Sequence, residues 1–344
     1  MVNRRQFVAA ALAPSPARSI PADLRTPFKV NRLVVAASGR AGAFDEKAVD
    51  CPFVFHHDGR FHMTFVAFDG TGYQTGLATS LNLIDWQKEG LILGRDATSE
   101  LFRYNVALNW IVRENDVFSK GALQKVRGRY LGVYHAYPGA GYEQGPAVIG
   151  LCWSADLRKW QLDAPILRPE DGAEWERGGL YKPCLVRESD TFWLFYNAKT
   201  AEKSWREQTG VASSRDLKTW TRHAANPLLR NGPAGSADER FASDPCVMKY
   251  GRQWAMFYFG LDRKGVARDL LALGPDLLHF EKCEGVSIDV GGAGAIDEKY
   301  AHKPSIVAHD GVLHHFYCAV GKDNTRGISV ARSRRPNYDR MSTP

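Results

Sequence analysis

Side chains that can transfer protons or bind polar ligands stand in front of four prolines along the chain. These leading residues are Asp50, Tyr181 with Lys182, Asp244, and His302 with Lys303. Carboxylate and imidazole groups are the side chains that most often donate or accept protons in catalysis. A similar apolar run follows each proline. The sequence therefore repeats a framework while it changes the residues in front of that framework.

The spacing of these prolines indicates a structural repeat of about sixty residues. Pro52, Pro183, Pro245 and Pro304 are separated by 131, 62 and 59 residues, so the first interval has room for two units. The missing unit is predicted to begin near Asn105. There NVALNWIV is followed, after an insertion, by RYLGVYHAY.

A second marker supports the same period. An aromatic residue closes each of the first four units, at intervals of 74, 60 and 60 residues: Trp86, Trp160, Trp220 and Phe280. Within each unit, short runs rich in Val, Phe, Tyr and Trp alternate with Asp-Gly turn signals, which predicts strands joined by hairpins. One small antiparallel sheet cannot bury both of its faces, whereas sheets packed radially can. The sequence predicts an all-β fold, a five-bladed β-propeller of four-stranded antiparallel blades around a central channel.

The propeller would bring the leading residues together. The innermost strands of a propeller line its channel, so equivalent positions meet at one mouth although they are about sixty residues apart. The segment KVNRLVVAAS, near residue 30, is predicted to supply the outer strand of the last blade. Taken singly, an Asp before a proline is a common turn residue and a His can bond a neighbouring blade. Four such positions in one concavity favour a functional site, because clustered ionisable groups are costly unless they are used.

Composition excludes several classes of protein. The formal charge is +7 with a pI near 9.0, but Lys and Arg are scattered without a basic block, so no nucleic-acid partner is predicted. No apolar run approaches the roughly 20 residues that span a bilayer. The six cysteines show no CxxC or zinc-finger spacing. We predict free buried thiols, no metal site and no cofactor, and the sequence does not indicate an oligomeric state.

The N-terminal residues resemble a twin-arginine export signal. Arg4 and Arg5 precede a short apolar stretch, which small residues and prolines follow. A disordered leader is the alternative, because the apolar stretch is short for a signal. Residues 1–25 are assigned to this leader and residues 26–344 to a single catalytic domain. Export would place the protein in the periplasm or outside the cell; otherwise it would be cytoplasmic.

Five units, an Asp near the start of the first, a later Asp-Pro and the "DLxxW" unit endings, such as Asp216 to Trp220, resemble the five-bladed glycoside hydrolases. These include families 43, 62, 32, 68 and 117 and the family 130 phosphorylases, and the resemblance covers roughly residues 30 to 335. It implies an exo-acting, inverting glycosidase that cleaves a plant or algal type of oligosaccharide. A non-catalytic carbohydrate-binding propeller and a glycoside phosphorylase are the alternatives.

The resemblance also implies catalytic roles. In inverting enzymes a base activates water while an acid, about 6.5–9.5 Å away, protonates the leaving oxygen. Asp50 corresponds to the base and Asp244 to a carboxylate that supports the acid. The position that holds a Glu in many relatives holds His302, which is similar to family 117, and a nearby carboxylate would keep its imidazole protonated. Glu176 and Glu298 are the alternative acids.

Residues near the mouth are predicted to hold the sugar. The aromatic candidates for stacking on a sugar ring are Tyr104, Trp175, Tyr181 and Tyr300. The candidates for hydrogen bonds to hydroxyl groups are Asn105, Arg240 and Lys182. Lys182 and Lys303, which directly precede their prolines, would suit an acidic or anhydro sugar.

Overall fold

A computed structural model describes residues 18–334 of the 344-residue chain. Its regular structure is almost entirely strand, with three short 3-10 helices at Ala22–Leu24, Pro169–Asp171 and Glu174–Glu176. No helix in this range is long and apolar enough to cross a membrane. The predicted export signal lies, over residues 1–17, outside the described part of the chain.

Five antiparallel units follow one another along the chain. Two short strands come first, β1 (Phe28–Lys29) and β2 (Val35–Ala36). The first unit consists of β3 (Ala48–His57), β4 (Arg60–Phe68), β5 (Tyr73–Ser80) and β6 (Gln87–Leu93). The second consists of β7 (Ala107–Ile111), β8 (Lys125–Val126), β9 (Arg129–Ala136), β10 (Val148–Ser154) and β11 (Gln161–Leu167).

The remaining three units form one continuous sheet. The third unit contains β12 (Gly179–Glu188), β13 (Thr191–Lys199), β14 (Glu207–Ser214) and β15 (Thr221–Arg222). The fourth contains β16 (Phe241–Tyr250), β17 (Gln253–Leu261), β18 (Ala267–Gly274) and β19 (Glu281–Lys282). The fifth contains β20 (Tyr300–His309), β21 (Val312–Val320) and β22 (Arg326–Arg332). Short parallel bridges, β14 to β16 and β18 to β20, join these units.

Two details of the predicted repeat are confirmed. The second unit begins two residues after Asn105, and a long insertion separates β7 from β9. The N-terminal strands β1 and β2 pair with β22 and so complete the fifth unit. The first strand of every unit contacts that of the next, and β20 contacts β3. The first strands therefore lie around a common centre.

The first strands are buried on both faces because neighbouring units cover them. Eight consecutive residues of β3 and of β16 are buried, which is why these segments read as nearly continuous apolar runs rather than as alternating patterns. All six cysteines lie within the described residues, and each is free; five are buried and Cys283 is partly exposed.

A polar contact that recurs from unit to unit ties the first strand to the outer strand. In three units an acid before the first strand accepts hydrogen bonds from a tyrosine on the second strand and from a cation on the outer strand. The trios are Glu176–Tyr196–Arg222, Asp238–Tyr258–Lys282 and Asp297–Tyr317–Lys29. In the first unit Asp45 likewise pairs with Lys88 of β6. This contact belongs to the repeated framework.

The insertion after β7 packs across one end of the first strands. The Arg113 side chain donates hydrogen bonds to the carbonyls of Val54 and Ile306, and Asn115 donates to the carbonyl of Val247. These acceptors lie in the C-terminal halves of three first strands. The leading residues lie in the N-terminal halves, so the site opens at the other end.

Residues 18–25, which the sequence assigns to the leader, pack on the domain. Leu24 is buried in the main core, and the Asp23 carboxylate accepts a hydrogen bond from the Tyr250 hydroxyl. The packed chain therefore begins earlier than residue 26.

We predict that D238N lowers the free energy of unfolding by about 1–3 kcal/mol, because the substitution removes the carboxylate that Tyr258 and Lys282 share. Urea unfolding followed by circular dichroism measures the change. The control is D190N, at an exposed turn position. Equal effects of the two substitutions would contradict a framework role for Asp238.

Candidate active site

A bulge with left-handed backbone precedes the proline on four of the first strands. Cys51, Lys182, Asp244 and Lys303 have φ angles of 48°, 51°, 50° and 70°. The pairing register shifts at each of these points. Such φ values are uncommon for residues other than glycine, and a bulge changes the direction of a side chain. The following proline has no N–H group, so no ladder hydrogen bond is lost there.

The bulges direct equivalent residues at one central cavity. A narrow cavity of about 40 Å³ is lined by the four bulge residues and by Asn109, at which the register of β7 also shifts. All five units therefore contribute a residue at the equivalent depth. Positions that are about sixty residues apart in the sequence are thus direct neighbours in space.

A wider pocket of about 680 Å³ adjoins this cavity, and Lys182, Asp244 and Lys303 line both. The predicted site residues that line it are Tyr181, Lys182, Asp244, Tyr300, His302 and Lys303. The segment from Tyr142 to Pro146, in the second unit, forms part of its rim. The structure thus brings these predicted residues into one concavity.

Asp50 lies behind this wall as a paired carboxylate. One carboxylate oxygen accepts hydrogen bonds from Lys303 Nζ at 2.7 Å and Arg326 Nη1 at 2.8 Å, and the other accepts the Cys51 N–H. Burial opposes its ionisation, yet the two cations hold the pKa of Asp50 well below its usual range. A base works best with a pKa near the operating pH. These contacts argue against Asp50 as the base and indicate that it positions the two cations.

Asp244 has the opposite character. It is buried between Lys182 and Lys303, and no hydrogen bond to its side chain forms within residues 18–334. Burial raises the pKa of Asp244 to about 7, against the opposing effect of the two lysines, and Glu207 adds to the rise. A carboxyl with this pKa can hold a proton at neutral pH and release it to a ligand.

Glu207 is the second buried carboxyl in the pocket wall. It accepts hydrogen bonds from Ser243 Oγ at 2.5 Å, Trp205 Nε1 at 2.9 Å and Asn197 Nδ2 at 3.1 Å. Burial raises the pKa of Glu207, while the hydrogen bonds oppose that rise. Three donors hold the carboxylate in one orientation and favour its charged form. Glu207 is therefore the better candidate for the ionised member of the pair with Asp244.

His302 lines the pocket, but its predicted protonation is wrong. Its Nδ1 lies 3.2 Å from the Cys318 carbonyl oxygen, and its ring packs edge-on against Phe259 and Tyr300. Burial and the neighbouring Lys303 lower the pKa of His302 well below 6.5, and these effects outweigh Asp50. Because a carbonyl only accepts hydrogen bonds, Nδ1 carries the proton. His302 is a neutral imidazole, suited to accept a hydrogen bond at Nε2 rather than to supply a proton.

Glu176 and Glu298, the alternative acids, lie outside the pocket. Glu176 belongs to the recurring contact with Tyr196 and Arg222 described above. Glu298 accepts the Gly294 N–H at 2.8 Å, and Glu46 and Glu239 make the same turn contact in other units. Each glutamate therefore makes a contact that recurs in other units. This structural role explains why each lies before a first strand, and no catalytic role is needed.

Four of the predicted sugar-binding residues are also elsewhere: Tyr104, Asn105, Trp175 and Arg240. The Asn105 side chain joins the Tyr73 N–H to the Gly139 carbonyl and so supports the base of the loop at the pocket rim. Trp175 stacks on Tyr196. Arg240 lies over the ring of Phe241, and Tyr104 does not line the pocket. These residues lie close to the starts of units in the sequence, but their side chains do not line the pocket.

The third strands carry functional candidates that the sequence patterns did not reveal. Glu207, Ala267 and Arg326 are the first residues of β14, β18 and β22, and all three line the pocket. This is another position where the framework repeats while the residue type changes. Alignment of the third strands in the sequence would have identified it.

Comparison with known proteins relates this fold to carbohydrate-active enzymes. Residues 120–288 match the family described as "Glycosyl hydrolases family 32 N-terminal domain". A 1,2-beta-oligomannan phosphorylase of Thermoanaerobacter sp. (strain X514) is 26% identical over 189 residues. That match covers 53% of this chain and 53% of the relative, so the chain matches about half the length of that curated relative.

Solved structures match over nearly the whole chain. One described as a glycoside hydrolase superposes with a TM-score of 0.78 at 29% identity, covering 93% of this chain and 95% of the other. A structure described as a BT0996 RGII complex gives a TM-score of 0.78 at 29% identity, with 94% and 96% covered. The family 117 glycoside hydrolase Zg3597 of Zobellia galactanivorans, at 12% identity and a TM-score of 0.62 over 90% and 91%, supports the fold alone. The resemblance to propeller glycoside hydrolases is confirmed, and the chain is an all-β protein with propeller neighbours.

We predict that D244N gains stability relative to the wild type as the pH rises from about 4 to about 7. The unfolded carboxyl ionises near 3.8, whereas the folded one holds its proton until about 7. Between these values the folded wild type binds more protons, so its stability falls with rising pH, by at most about 4 kcal/mol. Urea unfolding of both proteins across this range measures the difference, and a pH-independent difference would contradict the raised pKa.

Proposed function

From the resemblance to propeller glycoside hydrolases and the two buried carboxyls in the pocket, we propose that the protein cleaves glycosidic bonds, with Asp244 as the general acid. The observation that carries this proposal is that two buried carboxyls, Asp244 and Glu207, line one pocket, and burial raises the pKa of each. Most glycosidases use a pair of carboxyl groups in different environments for catalysis.

We infer that the five units are the blades of a five-bladed propeller. Support comes from the cyclic contacts of the first strands and from the cavity to which every unit contributes a residue. Pairing of β1 and β2 with β22 supports closure between the N-terminal and C-terminal ends of the described chain.

The proposed reaction begins with proton transfer from Asp244. Its carboxyl gives a proton to the leaving oxygen as the bond from that oxygen to the anomeric carbon breaks. Glu207 accepts the proton of the water that attacks the anomeric carbon. The hydrogen bonds from Ser243, Trp205 and Asn197 favour the ionised form of Glu207, which this step requires, against the effect of burial. The inverting stereochemistry and exo action implied by the resemblance form part of the proposal.

Aromatic rings supply a surface for a sugar. Trp205, Phe241, Phe259 and Tyr300 line the pocket together with Tyr181. The apolar faces of a sugar ring pack on such rings, while a few polar groups fix its orientation. We propose that the substrate is an oligosaccharide of the plant or algal type that the sequence suggested. We also propose that the protein acts on it after its own export from the cytoplasm.

We predict that D244N lowers kcat for a glycoside with a poor leaving group by about 10²–10⁴-fold, because such a group needs protonation. The decrease in kcat should be far smaller for an activated dinitrophenyl glycoside of the same sugar, since its leaving group departs without a proton. A glycan-library screen with NMR detection identifies the sugar and the product anomer. The matched control is E176Q, whose carboxyl lies outside the pocket and which should retain kcat.

Equal losses for both leaving groups in D244N would contradict the role of Asp244 as acid. Absence of any product with the wild type, together with measurable oligosaccharide binding, would instead favour the non-catalytic carbohydrate-binding alternative.

A glycoside phosphorylase is the second candidate, favoured by the cations Lys182, Lys303 and Arg326 in the pocket wall and by the match to a phosphorylase over half its length. In that reaction phosphate takes the place of water and the product is a sugar phosphate. Turnover measured with and without phosphate separates the two. Product formation in phosphate-free buffer supports hydrolysis.

A further inference from the structure

Lys182 is a buried cation that has no carboxylate at ion-pair distance among residues 18–334. It lines both the wide pocket and the central cavity. Its Nζ makes one hydrogen bond within the described residues, to Cys51 Sγ at 2.5 Å, and no Asp or Glu oxygen there lies within 4.0 Å. A thiol is a weak acceptor, and an ammonium has three protons to donate. Lys182 therefore keeps hydrogen-bonding capacity that the described part of the chain does not use.

The ammonium nevertheless stays charged. Burial opposes its charge, but attraction to Cys51, Asp244 and Asp50 in their charged forms raises the pKa of Lys182 above its usual value, and of these three Asp50 is the one held ionised at neutral pH. Burial also raises the pKa of Cys51 to about 11, so its thiol is not the missing anion at neutral pH. A buried charge without a counter-charge is costly. A partner from outside the chain would remove that cost.

Three further cations of this pocket make few direct contacts with carboxylates, although Glu143, Glu202, Glu207 and Asp244 also line it. Lys303 and Arg326 share the single carboxylate of Asp50. Lys199 Nζ donates to the Glu143 carbonyl and lies over the rings of Tyr137, Tyr181 and Trp205, again without a carboxylate within 4.0 Å in the described chain.

Among the carboxyls that act on Lys182, Asp244 has the largest effect, but the proposed acid must carry a proton before the reaction. In that state Asp244 is neutral, and among the described residues only the more distant Asp50, which already pairs with Lys303 and Arg326, acts on Lys182 as a negative charge. An anionic group of the ligand would balance Lys182 and would also favour the protonated form of Asp244 through like-charge repulsion.

We propose that Lys182, with Lys303 beside it, binds an oxyanion of the ligand, either the carboxylate of an acidic sugar or a phosphate. The inference rests on the proposed function for its placement next to the acid. Two observations support it: Lys182 lines the pocket, and its buried ammonium group makes a single hydrogen bond within the described residues.

Isothermal titration calorimetry of the full chain with matched probes tests this inference. The probes are galacturonate against galactose, glucuronate against glucose, and inorganic phosphate. We expect at least one anionic probe to bind about ten- to hundredfold more tightly than the neutral sugars, because a charge-assisted hydrogen bond adds to the sugar contacts. Tighter binding of a uronate would identify the bound group as the carboxylate of an acidic sugar, and tighter binding of phosphate would identify it as a phosphate.

The variants locate the effect. K182M should abolish the preference for the anion, K182R should keep most of it, and K218M, at an exposed lysine, should leave it unchanged. Thermal unfolding verifies that each variant is folded. If K182M does not fold, the comparison of probes on the wild type still decides, because equal affinity for charged and neutral probes overturns the proposal. A preference for the anion that survives in folded K182M also overturns it.

Failure here is distinguishable from failure of the proposed function. Cleavage of a neutral glycoside without any anion preference would retain the glycosidase and reject the oxyanion site. Binding of an anion that depends on Lys182, without cleavage of any glycoside, would retain the site and reject the catalytic role of Asp244.

Discussion

The left-handed residue before each proline is the constraint on which the rest of the site depends. On four first strands this residue breaks the pairing register and directs a side chain at the common axis. Backbone in this region is unfavourable for Cys, Lys and Asp, and it persists only where the surrounding structure enforces it. Here the buried first strands and the neighbouring units supply that enforcement. Lys182, Asp244 and Lys303 meet because the same irregularity occurs in each unit.

Burial and pairing together set the electrostatics of the pocket. Asp244 lines the pocket and Asp50 lies behind its wall, and the two carboxyls have opposite properties. Asp50 contacts two cations at hydrogen-bonding distance and is ionised, whereas Asp244 lacks hydrogen bonds within the described chain and has a pKa near neutrality. A carboxyl that is fully paired organises its neighbours, and one that is buried but incompletely paired can exchange a proton. The proposed division of roles follows from this contrast.

Framework and site are distinguished by repetition. Contacts that recur between units, such as the acid–tyrosine–cation trio of Asp238 or the turn contact of Glu298, stabilise the units. Residues that occur once at an equivalent position, such as Glu207 against Ala267, face the pocket. On four of the five first strands the varied positions could be located from the sequence, because a proline marks each of them, and they include Asp244 and His302. No such marker precedes the third strands, so Glu207 and Arg326 were missed.

The sequence by itself determined the all-β class, the repeat of about sixty residues, the position of the hidden second unit and the convergence of the leading residues. These features follow from patterns of apolar residues, turns and prolines that can be recognised within a single strand or hairpin and that recur along the chain. Protonation states and partners were decided by the tertiary structure. The neutral His302, the paired Asp50 and Lys182, which no carboxylate pairs within the structurally described chain, depend on burial and on charges from units far apart in the sequence, and no local pattern records those distances.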